Sequence, residues 1–131
     1  MSDSPLKKSK TDWKKQLTSL EYHILIEKGT EAPFSGKYND FYFDGHFVCK
    51  GCGQKLFLGK HKFQSGCGWP SFDQSIKGSV SYLPDLSHSM VRTEIICSHC
   101  GGHLGHIFED GPTNTRNRYC VNSASIQHRD I

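Results

Sequence analysis

Two short segments with the same cysteine spacing decide the fold: residues 49–52 read Cys-Lys-Gly-Cys, and residues 97–100 read Cys-Ser-His-Cys. A two-residue spacer lets one tight turn present two thiolates to one ion, and a structural zinc ion takes four such ligands in a tetrahedron. Glycines beside both segments supply the backbone freedom that such turns need. The spacing therefore predicts one structural zinc ion, bound by Cys49, Cys52, Cys97 and Cys100.

The long separation of the two segments is compatible with a shared ion. The entropy of closing a loop grows only logarithmically with its length, so one site can join two distant hairpins. The same spacing also allows two disulfides, a thioredoxin-type redox thiol pair, or iron in place of zinc. A cytosolic location disfavours disulfides, whereas an all-thiolate site accepts iron as well as zinc.

Length and charge limit the class of protein. The 131 residues suit one domain with a single core. No run approaches the about 18 to 20 apolar residues of a membrane span, and the N-terminus lacks the apolar segment of a secretory signal, so we expect a cytoplasmic protein with no membrane contact. The net charge of +3 comes entirely from residues 1–15. The remaining chain is neutral, which argues against nucleic-acid binding.

The N-terminal part of the chain predicts a tail and two helices. Residues 1–10 are basic and polar and lack aromatic side chains, a composition typical of disorder, so the domain should span residues 11–131. Thr18 and Glu21 form a capping box, and Gly29 is a natural helix end. We predict a helix near residues 19–28 and a shorter one near residues 13–16.

Beyond Pro33, short apolar or alternating runs are separated by glycines, which is typical of strands with turns between them. In residues 89–97 the side chains alternate between two faces, as in a half-buried strand. The body of the protein is therefore predicted to be mainly β. The predicted strands lie near residues 46–50, 55–58, 78–83, 89–97, 106–109 and 118–122.

Two further cysteines stand outside the zinc pattern. Cys67 lies between two glycines that open access to its sulfur, and Trp69 offers a flat apolar wall beside it; the alternative is a tight turn with a buried tryptophan and an inert thiol. Cys120 should share a strand face with Arg118, a cation that would favour a thiolate. Taken in isolation, Cys120 would be an inert buried cysteine.

Two histidines, His103 and His106, follow the second cysteine pair. Since four cysteines already complete a tetrahedron, these imidazoles are available for proton transfer near neutral pH. The alternative is that they are satisfied within a turn or exposed to solvent.

Four motifs in order, C-x-x-C, SGCGWPSF, CSHCGGHLGHIFEDGP and RYCVNSAS, together resemble the B-type methionine sulfoxide reductases, which reduce the R epimer of methionine sulfoxide. The resemblance runs from about Leu17 to Gln127. It implies a mainly β, zinc-stapled fold of two antiparallel sheets with short N-terminal helices, an Mss4-like architecture. It also implies repair of oxidised proteins, since this enzyme type reverses methionine oxidation.

The resemblance implies a thiol mechanism. Cys120 would be the nucleophile that attacks the sulfoxide sulfur, and Cys67 would resolve the resulting sulfenic acid as a disulfide. Thioredoxin, which is strongly reducing, would then regenerate both thiols. A monomer acting on oxidised peptides and proteins is expected.

The resemblance also implies roles around the sulfoxide. Trp69 would contact the substrate methyl group, while His103, His106 and Asn122 would surround the oxygen. Asp110 matches an acidic position of the family near the histidine pair, and we expect Asp110 and Arg118 to contact the site residues rather than the substrate.

Two other classes of function compete with this interpretation. A zinc-ribbon-like binding module would explain the cysteine pairs and the basic tail, but not Cys67, Cys120 or the histidines. A zinc hydrolase would need an open coordination position for an activated water, which four cysteine ligands do not leave.

Overall fold

The computed structural model describes residues 10–39, 41–42, 44–87 and 90–130. Within them, two short helices precede strands that form two antiparallel sheets, which confirms the predicted mainly β fold. The predicted tail lies outside the described residues except for Lys10, the first residue of helix α1. No helix in the described part of the chain is long and apolar enough to cross a membrane.

The helices are α1 (Lys10–Gln16) and α2 (Ser19–Leu25). The predicted capping box is present: the Thr18 hydroxyl accepts from the Glu21 N–H at 3.2 Å, and the Glu21 carboxylate accepts from the Thr18 N–H at 2.9 Å. These bonds satisfy amides that a helix start otherwise leaves unpaired.

Helix α2 ends at Leu25, three residues before the predicted end at residue 28. Lys28, rather than Gly29, takes the left-handed conformation that follows the helix, with φ of 61°. A Cβ on Gly29 would meet only the ring of His23, an exposed side chain that can move aside.

The strands are, in chain order, β1 (His46–Cys49), β2 (Lys55–Leu58), β3 (Lys62–Phe63), β4 (Ser71–Phe72), β5 (Val80–Asp85), β6 (Arg92–Cys97), β7 (His103–Phe108), β8 (Arg118–Val121) and β9 (Ile126–Arg129). The small sheet has the order β2-β1-β9, and the large sheet has the order β3-β4-β8-β7-β6-β5. All pairings are antiparallel. A 3₁₀ turn at Ser123–Ser125 carries the chain from the large sheet to the small one.

Six predicted strands correspond to β1, β2, β5, β6, β7 and β8, with ends that differ by up to three residues. Three strands were not predicted. β3 and β4 are two residues long, which is too short to show alternation, and β9 has a single apolar residue. β7 begins at His103, three residues earlier than predicted, and this difference matters for the site.

The core joins the two sheets through aromatic side chains. Phe47 and Phe57 of the small sheet and Phe72 of the large sheet are fully buried. The Phe57 and Phe72 rings stack with centroids 4.4 Å apart, and the Phe47 ring meets Phe72 edge-on at 5.2 Å. Such pairs add to the stabilisation that burial provides, and they fix one sheet against the other.

Candidate active site

One face of the large sheet carries a row of polar side chains on neighbouring strands. Glu94 on β6 lies opposite His106 on β7, His106 lies opposite Cys120 on β8, and Cys120 lies opposite Ser71 on β4. Directly opposite residues point to the same face with Cβ atoms about 5 Å apart. The register therefore places a carboxylate, an imidazole and a thiol side by side.

A β-bulge brings the second histidine to this face. His103 and His106 are three residues apart and would point to opposite faces of a regular strand. The β6–β7 register shifts between Ile95 and Ile96, so that His103 rather than Leu104 lies opposite Ile96. The extra residue restores His103 to the face of His106, and the ring centroids are 5.7 Å apart.

Asn122 supports the bulge. Its backbone N–H donates to the Leu104 carbonyl at 2.9 Å, and its side-chain Nδ2 donates to the same oxygen at 3.1 Å. Its Oδ1 accepts from the Glu31 N–H at 3.0 Å. Asn122 therefore fixes the strand that carries the histidines, a role that its predicted place beside the sulfoxide did not include.

The two cysteines outside the zinc pattern form a thiol pair. Cys67, in the loop before β4, and Cys120, on β8, have their Sγ atoms 3.7 Å apart, and neither is in a disulfide. The Ser65 hydroxyl donates to the Cys67 sulfur at 3.0 Å, and the Ser71 hydroxyl lies 3.5 Å from it. Fifty-two residues separate Cys67 from Cys120 in the sequence. The fold brings their sulfurs so close that a disulfide could form with little movement.

The surroundings of the two sulfurs shift their pKa values in opposite directions. The hydrogen bond with Cys120, followed by those with Ser65 and Ser71, lowers the pKa of Cys67 to about 4. The same hydrogen bond, together with burial, raises the pKa of Cys120, and the nearby Arg118 opposes that rise. The hydrogen bonds around Cys67 therefore favour its thiolate, whereas burial disfavours the thiolate of Cys120.

A cavity of about 220 Å³ opens over this face. The predicted site residues on its wall are Cys67, Trp69, His106, Arg118, Cys120 and Asn122. The Trp69 indole is held by a hydrogen bond from its Nε1 to the Glu31 carbonyl at 3.0 Å. Glu31 thus fixes both Trp69 and Asn122 through its backbone, a contact for which the sequence carries no signal.

Each histidine contacts a carboxylate that the sequence analysis did not assign to the site. His103 Nδ1 lies 2.7 Å from Glu94 Oε2, and His106 Nε2 lies 2.7 Å from Asp85 Oδ2. Burial lowers the pKa of His103, against the opposing effect of Glu94. His103 is buried behind His106, which is the histidine on the cavity wall. The one available sequence signal was Glu94, a charged residue in the middle of an alternating strand.

Asp110 contacts Arg118 rather than either histidine. Arg118 Nε and Nη2 donate to the two Asp110 oxygens at 2.8 and 3.0 Å, a bidentate geometry that fixes the guanidinium. This pairing lowers the pKa of Asp110. Arg118 also lies over the Phe108 ring, 4.5 Å from its centroid, so the cation near Cys120 is held from two sides.

The four remaining cysteines converge at one end of the molecule, in the turns between β1 and β2 and between β6 and β7. Their Sγ atoms all lie within 4.8 Å of one another, with Cys49 and Cys100 at 3.6 Å and Cys52 and Cys97 at 3.5 Å. A tetrahedron with metal–sulfur bonds of about 2.3 Å has sulfurs about 3.8 Å apart. The four-cysteine cluster therefore fits a metal ion, which would join the two sheets.

The chain is similar to known proteins over most of its length. The family model described as the SelR domain matches residues 17–130. The chain is 52% identical over 130 residues to peptide methionine sulfoxide reductase MsrB of Agrobacterium fabrum, covering 96% of each chain. It is 54% identical over 121 residues to the protein of the same name from Leptospira interrogans, covering 92% of each.

A solved structure shares the fold at low sequence identity. The crystal structure of the Mis18 'Yippee-like' domain superposes with a TM-score of 0.55 at 18% identity, covering 68% of this chain and 98% of that domain. This likeness concerns the arrangement of strands. The domain match and the near full-length relatives show that the chain belongs to the family of B-type methionine-R-sulfoxide reductases.

Proposed function

We propose that this protein reduces methionine-R-sulfoxide in peptides and proteins to methionine, with Cys120 as nucleophile and Cys67 as resolving thiol. The observation that carries the proposal is the pair of sulfurs 3.7 Å apart on the wall of a cavity that also holds Trp69 and His106. This set supplies two thiols for the redox step, an apolar surface for a methyl group and an acid for an oxygen.

Substrate placement follows from the two walls of the cavity. The sulfoxide methyl group has no hydrogen-bonding atom, so an apolar surface such as Trp69 recognises it. The oxygen then lies toward His106, whose imidazole can act as a general acid. Methyl, oxygen and the attacking sulfur together fix three positions around the substrate sulfur, so one epimer fits.

The first chemical step reduces the substrate. Transfer of the Cys120 proton to Cys67 leaves Cys120 as the thiolate, which Arg118 stabilises. The thiolate attacks the sulfoxide sulfur while His106 donates a proton to the oxygen, because an unprotonated oxygen is a poor leaving group. The S–O bond breaks as an S–S bond forms between Cys120 and the substrate. The released hydroxide then attacks the Cys120 sulfur, the S–S electron pair passes to the substrate sulfur, and methionine leaves Cys120 as a sulfenic acid.

The second step forms a disulfide. The Cys67 sulfur attacks the sulfenic sulfur of Cys120, and the hydroxyl leaves as water with the proton that Cys67 had accepted. An external dithiol such as thioredoxin, at about −270 mV, then reduces the Cys67–Cys120 bond. The cycle needs thiols that are kept reduced, which the cytoplasm provides, and we place the protein there as a monomer.

The four-cysteine cluster is proposed to hold one structural zinc ion through Cys49, Cys52, Cys97 and Cys100. Zinc has no accessible second oxidation state, and four thiolates leave no open position for catalysis. Its contribution would be to folding, because it joins the hairpin turns of the two sheets.

Single-turnover mass spectrometry tests the proposal. Reduced protein is mixed with a peptide that contains methionine sulfoxide of either epimer, and new disulfides are mapped. We expect methionine from the R epimer only, together with a Cys67–Cys120 bond. Absence of turnover by folded, metal-loaded protein would contradict the proposal and favour a binding module.

Serine variants separate the two thiols, which matters because the surroundings favour the thiolate of Cys67 over that of Cys120. Cys120→Ser should form no methionine, whereas Cys67→Ser should form one equivalent and then stall with thioredoxin. The opposite result, one equivalent from Cys120→Ser and none from Cys67→Ser, would reverse the assignment of nucleophile and resolving thiol.

A further inference from the structure

Asp85, at the end of β5, is the acidic group in contact with the cavity histidine. In the antiparallel register Asp85 lies opposite Arg92 of β6, and β6 separates it from His106 on β7. Its side chain crosses β6 to place Oδ2 2.7 Å from His106 Nε2. The two side chains are only 17% and 13% exposed, so solvent competes weakly for this contact.

The Asp85 carboxylate is held in place by three further donors. The Ser87 N–H and hydroxyl donate to Oδ1 at 3.0 and 2.6 Å, and Arg92 Nη2 donates to Oδ2 at 3.2 Å. The hydrogen bonds from Ser87, followed by that from His106, hold the pKa of Asp85 below its usual range. The group is therefore a fixed anion at neutral pH.

The chemistry of the contact determines where His106 carries its proton. An ionised carboxylate only accepts hydrogen bonds, while a neutral imidazole has one donor and one acceptor nitrogen. With Asp85 as acceptor, Nε2 must be the protonated nitrogen. Nδ1 is then the ring nitrogen that lies outside this contact.

We propose that Asp85 is a positioning residue that keeps the His106 proton on Nε2, orients the ring, and so makes Nδ1 the atom that delivers a proton to the substrate oxygen. This inference rests on the proposed reduction of a sulfoxide. Asp85 also stabilises the imidazolium that donates, in the manner of a carboxylate behind a catalytic histidine. His103 is buried against Glu94 and packs behind this assembly rather than in the cavity.

The test uses Asp85→Asn and Asp85→Ala. Asparagine keeps an acceptor but loses the charge, and alanine loses both and leaves Arg92 without its carboxylate partner. We expect the single-turnover rate of methionine formation to fall on the order of 10²-fold in Asp85→Ala, the lower end of what a positioned acid contributes. The loss in Asp85→Asn should be smaller. In Asp85→Asn the KM for the peptide should change little, because Asp85 itself does not line the cavity and asparagine keeps an acceptor for Arg92, which does.

A spectroscopic readout separates positioning from a merely structural effect. Nitrogen chemical shifts of His106 should report a single Nε2–H tautomer in the wild-type protein and a mixture of tautomers in Asp85→Ala. The matched control is Asp73→Asn, which removes the charge from another histidine–carboxylate contact, that of His61 and Asp73 at 3.4 Å, away from the cavity. This control should keep the rate and the His106 spectrum.

Two results would overturn the inference: an unchanged His106 tautomer in Asp85→Ala, or a loss of rate in Asp73→Asn as large as in the Asp85 variants. Failure of the proposed function is recognised separately. A wild-type protein that does not reduce the sulfoxide refutes the function, while the tautomer of His106 still decides whether Asp85 positions the ring.

Discussion

The six cysteines of this chain form two sets with opposite surroundings. In the four-cysteine cluster each sulfur belongs to a group of four within 4.8 Å, and Cys49 and Cys97 are buried. In the thiol pair, Cys67 and Cys120 have one sulfur neighbour each at 3.7 Å and lie on the wall of a cavity. The pair also has serine hydroxyls and the Arg118 guanidinium beside it.

The number of neighbouring sulfurs and the access of a ligand decide what each cysteine of this molecule can do. Four converging thiols have the geometry of a tetrahedral metal site, which restrains two turns but offers no free sulfur to a substrate. Two thiols can exchange one proton and form one bond, and a cavity lets a substrate reach them. The cluster should therefore govern folding, and the pair should govern chemistry.

The largest effect is expected at the cluster. Cys97→Ser removes one of the four thiolates, at the buried last residue of β6. In such sites the free energy of metal binding is coupled to folding. Because that free energy, about 10 kcal/mol or more, is comparable with the whole stability of a domain, the variant should be largely unfolded. Circular dichroism and metal content measured together check this outcome.

Metal removal supplies an independent form of the same test. A strong chelator should lower the melting temperature of the wild-type protein, and zinc should restore it. Retention of the melting temperature after complete loss of metal would contradict a structural role for the cluster.

Cys120→Ser makes the same chemical change in the other set and should have a different result. The serine hydroxyl is not an effective nucleophile toward the sulfoxide sulfur, so methionine formation should be abolished even in a single turnover. The metal content should stay at one equivalent, and the melting temperature should stay close to that of the wild-type protein. A large loss of stability in Cys120→Ser would show that the two sets are not separable.

The sequence predicts this division well because spacing is a local property. The two C-x-x-C segments identify the cluster without knowledge of the fold, and their convergence in the structure agrees with that prediction. The capping box at Thr18 is local in the same way. The pairing of Cys67 with Cys120 depends on the register of β4 with β8, so it could be expected only from the family resemblance.

The close approach of β7 and β8 at Gly105 holds the thiol pair beside the histidines. A Cβ on Gly105 of β7 would clash with the backbone carbonyl of Cys120 on β8, and neither strand can yield without moving His106 or Cys120. Gly105→Ala should therefore destabilise the protein by about 1 to 3 kcal/mol, as overpacking does, and reduce the rate of methionine formation. Urea denaturation and single-turnover kinetics measure the two effects.

Gly78→Ala is the matched control for Gly105→Ala. Gly78 has φ of 78° with open space around its Cβ position, so alanine there has a conformational cost of about 1 kcal/mol and no clash. Its rate of methionine formation should match that of the wild-type protein. An equal loss of rate in both glycine variants would mean that the close approach of β7 and β8 is not what positions the site.

The positions of the two histidines could not be predicted from the sequence. In a regular strand His103 and His106, three residues apart, would point to opposite faces, and the bulge opposite Ile95 and Ile96 places them on the same face. The Leu104 carbonyl at the bulge accepts a hydrogen bond from Asn122, the residue that follows β8. Contacts of this kind join residues that are distant in sequence, and no local pattern indicates them.

The smallest effect is expected for Asp110→Asn, which frees the Arg118 guanidinium beside the thiol pair. Since Arg118 lowers the pKa of Asp110, the ion pair stabilises the folded protein above the pKa of the unfolded carboxyl, about 3.9, and this contribution is lost as the pH falls through the lower folded pKa. The Asp110 side chain is 61% exposed, so solvent screening limits the effect to below about 1 kcal/mol. Urea denaturation at pH 7 should show this small loss, and the difference from the wild-type protein should shrink in acid.

Glu109→Gln, at the neighbouring exposed carboxylate, is the control. A loss of stability at pH 7 that persists unchanged in acid would mean that packing, not charge, holds Arg118 near Cys120.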